Sequence, residues 1–467
     1  MIWISTAAFN AARLARMKDD WRKYLGLRAP RYTSYPSALH FDAQVTDEDY
    51  ASRLGEVSLY EPLSLYFHIP FCKRLCWYCG CNMRVENDYA RAVRYVDALR
   101  REVDLVGKKL NGAGRPRSIH FGGGTPNFLK VDEIGRILEA VELSLGLTDS
   151  TRLAIELDPR LIRDNDIARL VALGFNRISL GVQDFDPEVQ AAINRVQSFD
   201  LVEAAVGEMR RYGVDDLSFD LLYGLPKQTV ASFAATLAKT IALSPDRVAI
   251  FGYAHLPAQL PRQRLIDDAL LPPEALRADL SILGDEMLVA AGYVRVGFDH
   301  YAKPDNPLAR AAIEGRLRRN FQGFTDDPAE TTIGFGASSI SFVGEIYAQN
   351  AKTLADYYSR IDQRRLATER GLLLSPRERV VAATIRDLLC RGRADIRPLL
   401  RALAPTEANR ICANLDRFEE DGVICWEGDS VALAPGARTL ARAVAMALDP
   451  YEAAIGRKAA PRLAHAV

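Results

Sequence analysis

The chain has 467 residues, of which 48% are hydrophobic and 26% charged, the composition of a soluble globular protein long enough for more than one domain. Sixty basic side chains balance sixty acidic ones, so no basic surplus argues for a nucleic-acid partner, whose non-specific binding draws on several phosphate contacts. No stretch reaches the ~18 consecutive apolar residues of a membrane span.

Met1 to Met17 contains no acid and carries Arg13 and Arg16 on a weakly amphipathic pattern. It reads as an ordinary N-terminal helix, with an organellar transit peptide as the alternative. From residue 62 to 255, strand-length apolar runs alternate with helical patterns. The predicted strands are Leu63–His68, Ser118–Phe121, Leu153–Leu157, Arg177–Val182, Leu217–Leu222 and Arg247–Phe251. Between them, Tyr89–Lys108, Val131–Leu145, Asp164–Leu173, Asp200–Tyr212 and Thr229–Leu243 repeat apolar residues at three- and four-residue steps. Alternating β and α with buried strands predicts a parallel sheet rolled by right-handed crossovers into a sheet or partial barrel. A further strand is expected at Tyr293–Phe298, and a Gly/Ser-rich run follows at Ile333–Ile340. From Leu373 the pattern becomes helical and ends in helix, strand, Gly-Asp turn and strand, as in a winged-helix module, read here as packing on the rest of the chain rather than binding DNA. The predicted units are an N-terminal arm (1–55), an α/β catalytic domain (56–365) and a helical, winged-helix-like domain (366–467).

In parallel α/β arrays, functional side chains gather at the C-terminal ends of strands. The first strand runs into Cys72-Lys73-Arg74-Leu75-Cys76-Trp77-Tyr78-Cys79-Gly80-Cys81, so four of the seven cysteines fall within ten residues. The second runs into Gly122-Gly123-Gly124-Thr125-Pro126. The third carries Glu156, the fourth ends at Gln183, the fifth holds Asp220, and the sixth leads to Tyr253-Ala254-His255. Six such features on one rim predict a single site. The glycine run has no following lysine and is no Walker loop; it suggests close approach by another kind of ligand. A zinc site wants four ligands, usually in two separated pairs, and a redox C-x-x-C pair leaves Cys72 and Cys81 idle. A four-iron cluster normally takes four thiolates, and C-x3-C-x2-C supplies three, leaving one iron open. Cys390, Cys412 and Cys425 are scattered and read as core thiols in a reducing, cytoplasmic compartment.

The cysteine triad with Tyr78 before its third member, followed by Gly-Gly-Gly-Thr-Pro, resembles the radical S-adenosylmethionine superfamily. The resemblance narrows to the oxygen-independent coproporphyrinogen III oxidases. It rests on Arg31-Tyr32-Thr33-Ser34-Tyr35-Pro36, Cys79-Gly80-Cys81-Asn82, Gly181-Val182-Gln183-Asp184-Phe185, Asn194-Arg195-Val196-Gln197, Tyr223-Gly224-Leu225-Pro226, Tyr253-Ala254-His255-Leu256-Pro257 and Arg319-Asn320-Phe321-Gln322-Gly323. The related haem-chaperone branch usually lacks the C-x-C ending and the N-terminal arm. Departures are small: Arg318 stands where some members carry histidine, and Trp77 where tyrosine is commoner.

The resemblance implies a partial (β/α)6 barrel. It implies a 4Fe-4S cluster on Cys72, Cys76 and Cys79, whose open iron is chelated by S-adenosyl-L-methionine. Tyr66 would pack near that cofactor, and Gly123, Gly124 and Thr125 would hold its methionine end. Glu156, Gln183, Arg195 and Asp220 would contact the same molecule. Tyr78, Ala254, Gln322 and Ile340 fall where the family binds a second S-adenosylmethionine. Cys81 is implied to be needed without being a ligand. The implied reaction turns the ring A and ring B propionates of coproporphyrinogen III into vinyl groups through a 5′-deoxyadenosyl radical. An electron donor and an acceptor, both unidentified, complete the set of partners, and a monomer is expected because no exposed helical seam stands out. Arg31, Arg318 and Arg319 are candidate partners for substrate carboxylates. Rival readings are a haem-ring-opening radical methyltransferase, a haem-trafficking chaperone, and a metal-stapled winged-helix DNA reader.

Overall fold

A computed structural model of the chain describes residues 19–451 and 464–465; the helix or transit peptide expected over Met1–Met17 lies outside the described residues. All six predicted parallel strands are present: β1 (Pro62–Ile69), β2 (Arg115–Gly123), β3 (Arg152–Leu157), β4 (Phe175–Gln183), β5 (Asp216–Tyr223) and β6 (Arg247–Gly252). They lie side by side in chain order, each parallel to the next. The sheet continues at both ends to twelve strands without closing. Beside β1 comes β7 (Thr331–Phe335), also parallel, followed by three antiparallel strands ending at Thr368–Leu373. Beside β6 comes a short antiparallel hairpin, Val294–Val296 with His300–Ala302. The sequence predicts one strand there, Tyr293–Phe298; three-residue strands carry no readable alternation, so the return strand was invisible.

The period of two in β1 explains how the sheet serves two faces. Leu63, Leu65, Phe67 and Ile69 are fully buried in the large core, while Tyr66 and His68 share the other face and approach each other at 3.2 Å. Beneath the site, Phe67 stacks between Phe121 and Phe335, with ring centroids 4.9 and 4.7 Å apart, so three neighbouring strands are locked in register. Helix Tyr89–Leu110 covers this face. Asp88 caps it by accepting from Ala90 N, and Tyr95, Val96, Leu99, Val103 and Val106 form its buried stripe.

The same helix buries one acid, Glu102, only 2% exposed. Its carboxylate accepts from Gly336 N and Tyr357 OH, both at 2.7 Å, and from Asn350 Nδ2 at 2.6 Å. One side chain thus ties the helix to the turn after β7 and to two outer elements. At the opposite rim of the strands, Asp216 pairs with Arg177 and Arg247, and Asp326 with Arg152 and Arg177, closing the end away from the site.

Helix Asp47–Gly55 contributes Tyr50 and Leu54 to the large core, and the sheet runs on to Leu373. Beyond it, helices Pro376–Arg391, Arg397–Ala402 and Pro405–Glu420 and the hairpin Ile424–Glu427/Ser430–Leu433 form the winged-helix-like arrangement, with Arg393–Asp395 as a third strand. A second core joins Trp21, Leu25, Tyr32 and Tyr35 of the arm to Ile385, Leu415 and Val444 of this region. Tyr32 and Tyr35 donate hydrogen bonds to the two oxygens of Asp449, at 3.1 and 3.2 Å, and the backbone at Arg28–Ala29 pairs with Ala464–His465. No helix among the described residues is long and apolar enough to cross a membrane.

Candidate active site

The cysteine loop leaves β1 and is fastened at both ends by backbone bonds. Phe71–Cys72 pairs with Arg84–Val85, Arg84 N donates to Pro70 O at 2.8 Å, and Glu86 N to Cys72 O at 3.0 Å. His68 Nε2 lies 2.8 Å from Asn82 O. The glycine turn after β2 packs directly behind: Gly124 N donates to Ile69 O at 2.8 Å and Thr125 N to Phe71 O at 2.9 Å. A Cβ at Gly124 would come within 3.1 Å of Cys72 Sγ and 2.8 Å of Phe71 O; at Gly123, where φ is +118°, it would strike the His68 ring at 2.9 Å. Only glycine permits this approach. Gly124→Ala is expected to keep the fold but to push on the Cys72 segment and lower the thermal midpoint, since overpacking of this size costs about 1–3 kcal/mol. A midpoint equal to that of the unsubstituted protein would show that the turn does not need this contact.

All seven cysteines are free. Cys76 is buried and takes two guanidinium contacts, from Arg160 Nη2 and Arg195 Nη1, both at 3.5 Å. Arg195 is itself buried; its Nη1 lies 3.4 Å from Asp158 and its Nη2 donates to Gly181 O at 2.6 Å. Burial alone would raise the Asp158 carboxyl, but Arg195 and Arg160 outweigh it and hold it below the usual carboxylate range. Cys79 receives Cys81 N–H at 3.4 Å. The Cys81 thiol and backbone, with Arg262 and Arg195 behind them, offset burial and pull Cys79 down to about 6. Cys81 is exposed, its thiol turned to the neighbouring Cys79, which holds it protonated.

Side chains predicted from neighbouring strands meet on the inner face. Tyr66 opposes His120 in register and stacks on it at 5.9 Å; His120 Nε2 lies 2.9 Å from Glu156. Asp220 accepts from Ser179 at 3.2 Å, and burial, followed by the Glu156 charge, pushes it up to about 6. Gln183 sits at a register shift in β4 with φ +67°, a bulge that turns its side chain toward Gly181 and Arg195. The structure therefore groups Tyr66, Glu156, Gln183, Arg195 and Asp220 with the cysteine loop and the Gly123–Thr125 turn.

Tyr78 and Ala254 are brought together by Gln263, whose Nε2 donates to both carbonyls, at 2.9 and 3.0 Å. Gln263 belongs to no motif and was not readable in the sequence. Gln322 and Ile340 stand apart from that pair and line two cavities. One, of about 250 Å3, reaches the ends of β5 and β6 at Tyr223 and Gly252 and is lined by Gln322. The other, of about 420 Å3, lies beneath Tyr32–Tyr35 and is lined by Ile340. Thr33, Arg319 and Phe321 line both. The larger cavity is thus not at the thiols but between the arm, the β7 region and helix Pro376–Arg391.

Comparison with known proteins agrees with this geometry. The Radical SAM superfamily profile matches residues 66–239. An oxygen-independent coproporphyrinogen III oxidase of Bradyrhizobium diazoefficiens is 39% identical over 91% of this chain and 95% of its own length. That of Escherichia coli K12 is 39% identical over 92% and 96%. The chain belongs to the oxygen-independent coproporphyrinogen III oxidase family. The solved E. coli coproporphyrinogen III oxidase, a radical SAM enzyme, superposes with a TM-score of 0.85 at 37% identity, covering 90% of this chain and 97% of that one.

Membership in this radical SAM family implies a 4Fe-4S cluster and S-adenosylmethionine. The donor set fits. Cys72, Cys76 and Cys79 supply three free thiols from one loop. They are unpaired, and Cys72 and Cys76 face the glycine turn and two guanidiniums, an electropositive surround suited to an anionic thiolate cluster.

Proposed function

We propose that this chain carries out the oxygen-independent oxidation of coproporphyrinogen III to protoporphyrinogen IX, decarboxylating the ring A and ring B propionates to vinyl groups. The observation that carries this reading is the meeting of three free thiols with the glycine turn and with polar side chains from β1, β3, β4 and β5, on a chain that matches a family member over 91% of its length. Cys72, Cys76 and Cys79 hold the cluster. Gly123, Gly124 and Thr125 give the backbone close approach at the methionine end, and Tyr66, Glu156, Gln183, Arg195 and Asp220 surround the rest of the cofactor. A bound cluster and S-adenosylmethionine would supply radical hydrogen-abstraction chemistry, aimed at the propionate carbon next to the pyrrole.

The residues do the remaining work. Arg160 and Arg195 place positive charge on Cys76 and Asp158 and fix both. A second S-adenosylmethionine would be held at Tyr78 and Ala254, which Gln263 joins, and would have to extend to reach Gln322 and Ile340 on the walls of the two cavities. Cys81 lies outside the ligand set, beside Cys79, to which its N–H donates. A radical site must exclude water; the arm supplies that cover, held down by the two tyrosine bonds to Asp449, and it yields when substrate enters. The enzyme works as a cytoplasmic monomer with separate electron donor and acceptor.

Anaerobic incubation of reconstituted protein with dithionite, S-adenosylmethionine and coproporphyrinogen III should give protoporphyrinogen IX, read by mass spectrometry after oxidation to the porphyrins. Cofactor cleavage without vinyl formation would point to a ring-opening methyltransferase instead. Stoichiometric haem binding without decarboxylation would point to a chaperone.

A further inference from the structure

We propose that Arg386, on helix Pro376–Arg391, anchors a propionate of the tetrapyrrole that does not react, so that the C-terminal region selects substrate as well as packing on the barrel. This rests on the function proposed above.

Four guanidiniums line the larger cavity: Arg318, Arg319, Arg379 and Arg386. Two are committed to acids that line the same cavity, Arg318 to Glu330 at 3.1 Å and Arg379 to Glu345. Arg319 donates from Nε to Tyr32 O at 3.0 Å and from Nη2 to Arg31 O at 3.1 Å. It lies over the Phe324 ring at 4.5 Å, and its Nη1 is buried without a hydrogen-bond partner. Arg386 is exposed to the cavity and, among the described residues, forms no hydrogen bond or ion pair. The cavity therefore carries two positive charges beyond its own acids. One, Arg319, is rigidly placed on the wall the cavity shares with the smaller one, and the other, Arg386, stands unpaired on helix Pro376–Arg391.

The placement matches the shape of the substrate. The smaller cavity opens on the ends of β5 and β6, and Thr33, Arg319 and Phe321 form its common wall with the larger one. A macrocycle presenting one edge to the barrel extends its opposite edge past that wall. Ring C faces ring A across the macrocycle, and ring D faces ring B. Whichever propionate is reacting, one that does not react points toward helix Pro376–Arg391. A carboxylate meeting an unpaired guanidinium there gains a charge-assisted bond without first breaking an ion pair.

The test compares Arg386→Ala and Arg386→Lys with the unsubstituted enzyme on two probes: coproporphyrinogen III, and the same tetrapyrrole with its ring C and ring D propionates as methyl esters. Arg386→Ala should raise KM for coproporphyrinogen III about tenfold or more, the loss of one charge-assisted hydrogen bond. kcat should change by less than about threefold, and Arg386→Lys should restore most of the KM. The penalty for the diester should shrink in Arg386→Ala, because the two changes remove the same contact. Iron content and substrate-independent cofactor cleavage, unchanged in both variants, report that the fold is intact. A KM within about twofold of the unsubstituted value, or a diester penalty the substitution leaves untouched, overturns the proposal while the function stands. An unsubstituted enzyme that cannot convert coproporphyrinogen III removes the function and this proposal with it.

Discussion

Changing Cys72, Cys76 or Cys79 singly to alanine should abolish the visible absorption of the reconstituted cluster and lower cofactor cleavage a thousandfold or more, on the order of 4 kcal/mol in barrier. Cys81→Ser should keep the absorption. The surroundings of the four thiols differ in kind. Cys72 sits on a paired strand segment against the glycine turn. Cys76 is buried under two guanidiniums. Cys79 accepts a backbone N–H, which favours the thiolate a cluster requires. Cys81 donates that N–H and directs its own thiol at Cys79 rather than at a separate ligand position. Iron content and the cluster absorption of the four variants decide the matter together. Loss of iron in Cys81→Ser, with iron retained in any one of the other three, would assign the ligands differently.

Glu102→Ala should be the most destabilising single change away from the cysteines, about 3–5 kcal/mol, because Gly336 N, Tyr357 OH and Asn350 Nδ2 would all lose a buried acceptor at once. A fall in thermal midpoint of about 5 °C or more is the expected reading. Glu102→Gln separates charge from contact. Burial raises Glu102 from its ordinary value to about 7, although the three donors pull it back. Between 4.5 and about 7 the unfolded chain has released this proton while the folded one keeps it. The residue therefore makes stability fall as pH rises through that window, and adds no further slope above it. The glutamine variant should show a flatter stability profile over the same range, measured by thermal unfolding in matched buffers. Equal slopes in the two proteins would place the titration elsewhere.

Much of the fold was legible because its parallel strands each bury an apolar face. Runs such as Leu63–His68 and Arg177–Val182 are apolar enough to stand out, and the helices between them carry a full buried stripe, as in Tyr89–Leu110. The site was legible in part for the same reason: side chains at the carboxyl ends of parallel strands share one rim, so Glu156 and Asp220 could be placed beside the thiols from their positions alone. What was not legible depends on contacts distant in sequence. Gln263 joins Tyr78 to Ala254 across about 180 residues, a bridge no local pattern encodes. Arg160 reaches Cys76 only because β3 lies near the cysteine loop. The arm is pinned by Asp449, more than 400 residues away. The hairpin at Val294–Ala302 is too short to show a period. Gln322 and Ile340, predicted beside Tyr78 and Ala254, line separate cavities that meet only at Thr33, Arg319 and Phe321.

The most direct test follows one hydrogen. Coproporphyrinogen III deuterated at the propionate carbons next to the rings should pass deuterium into 5′-deoxyadenosine, with one carbon dioxide released for each vinyl group formed. Protoporphyrinogen IX formed without label in 5′-deoxyadenosine, or labelled 5′-deoxyadenosine with all four propionates intact, would contradict the account.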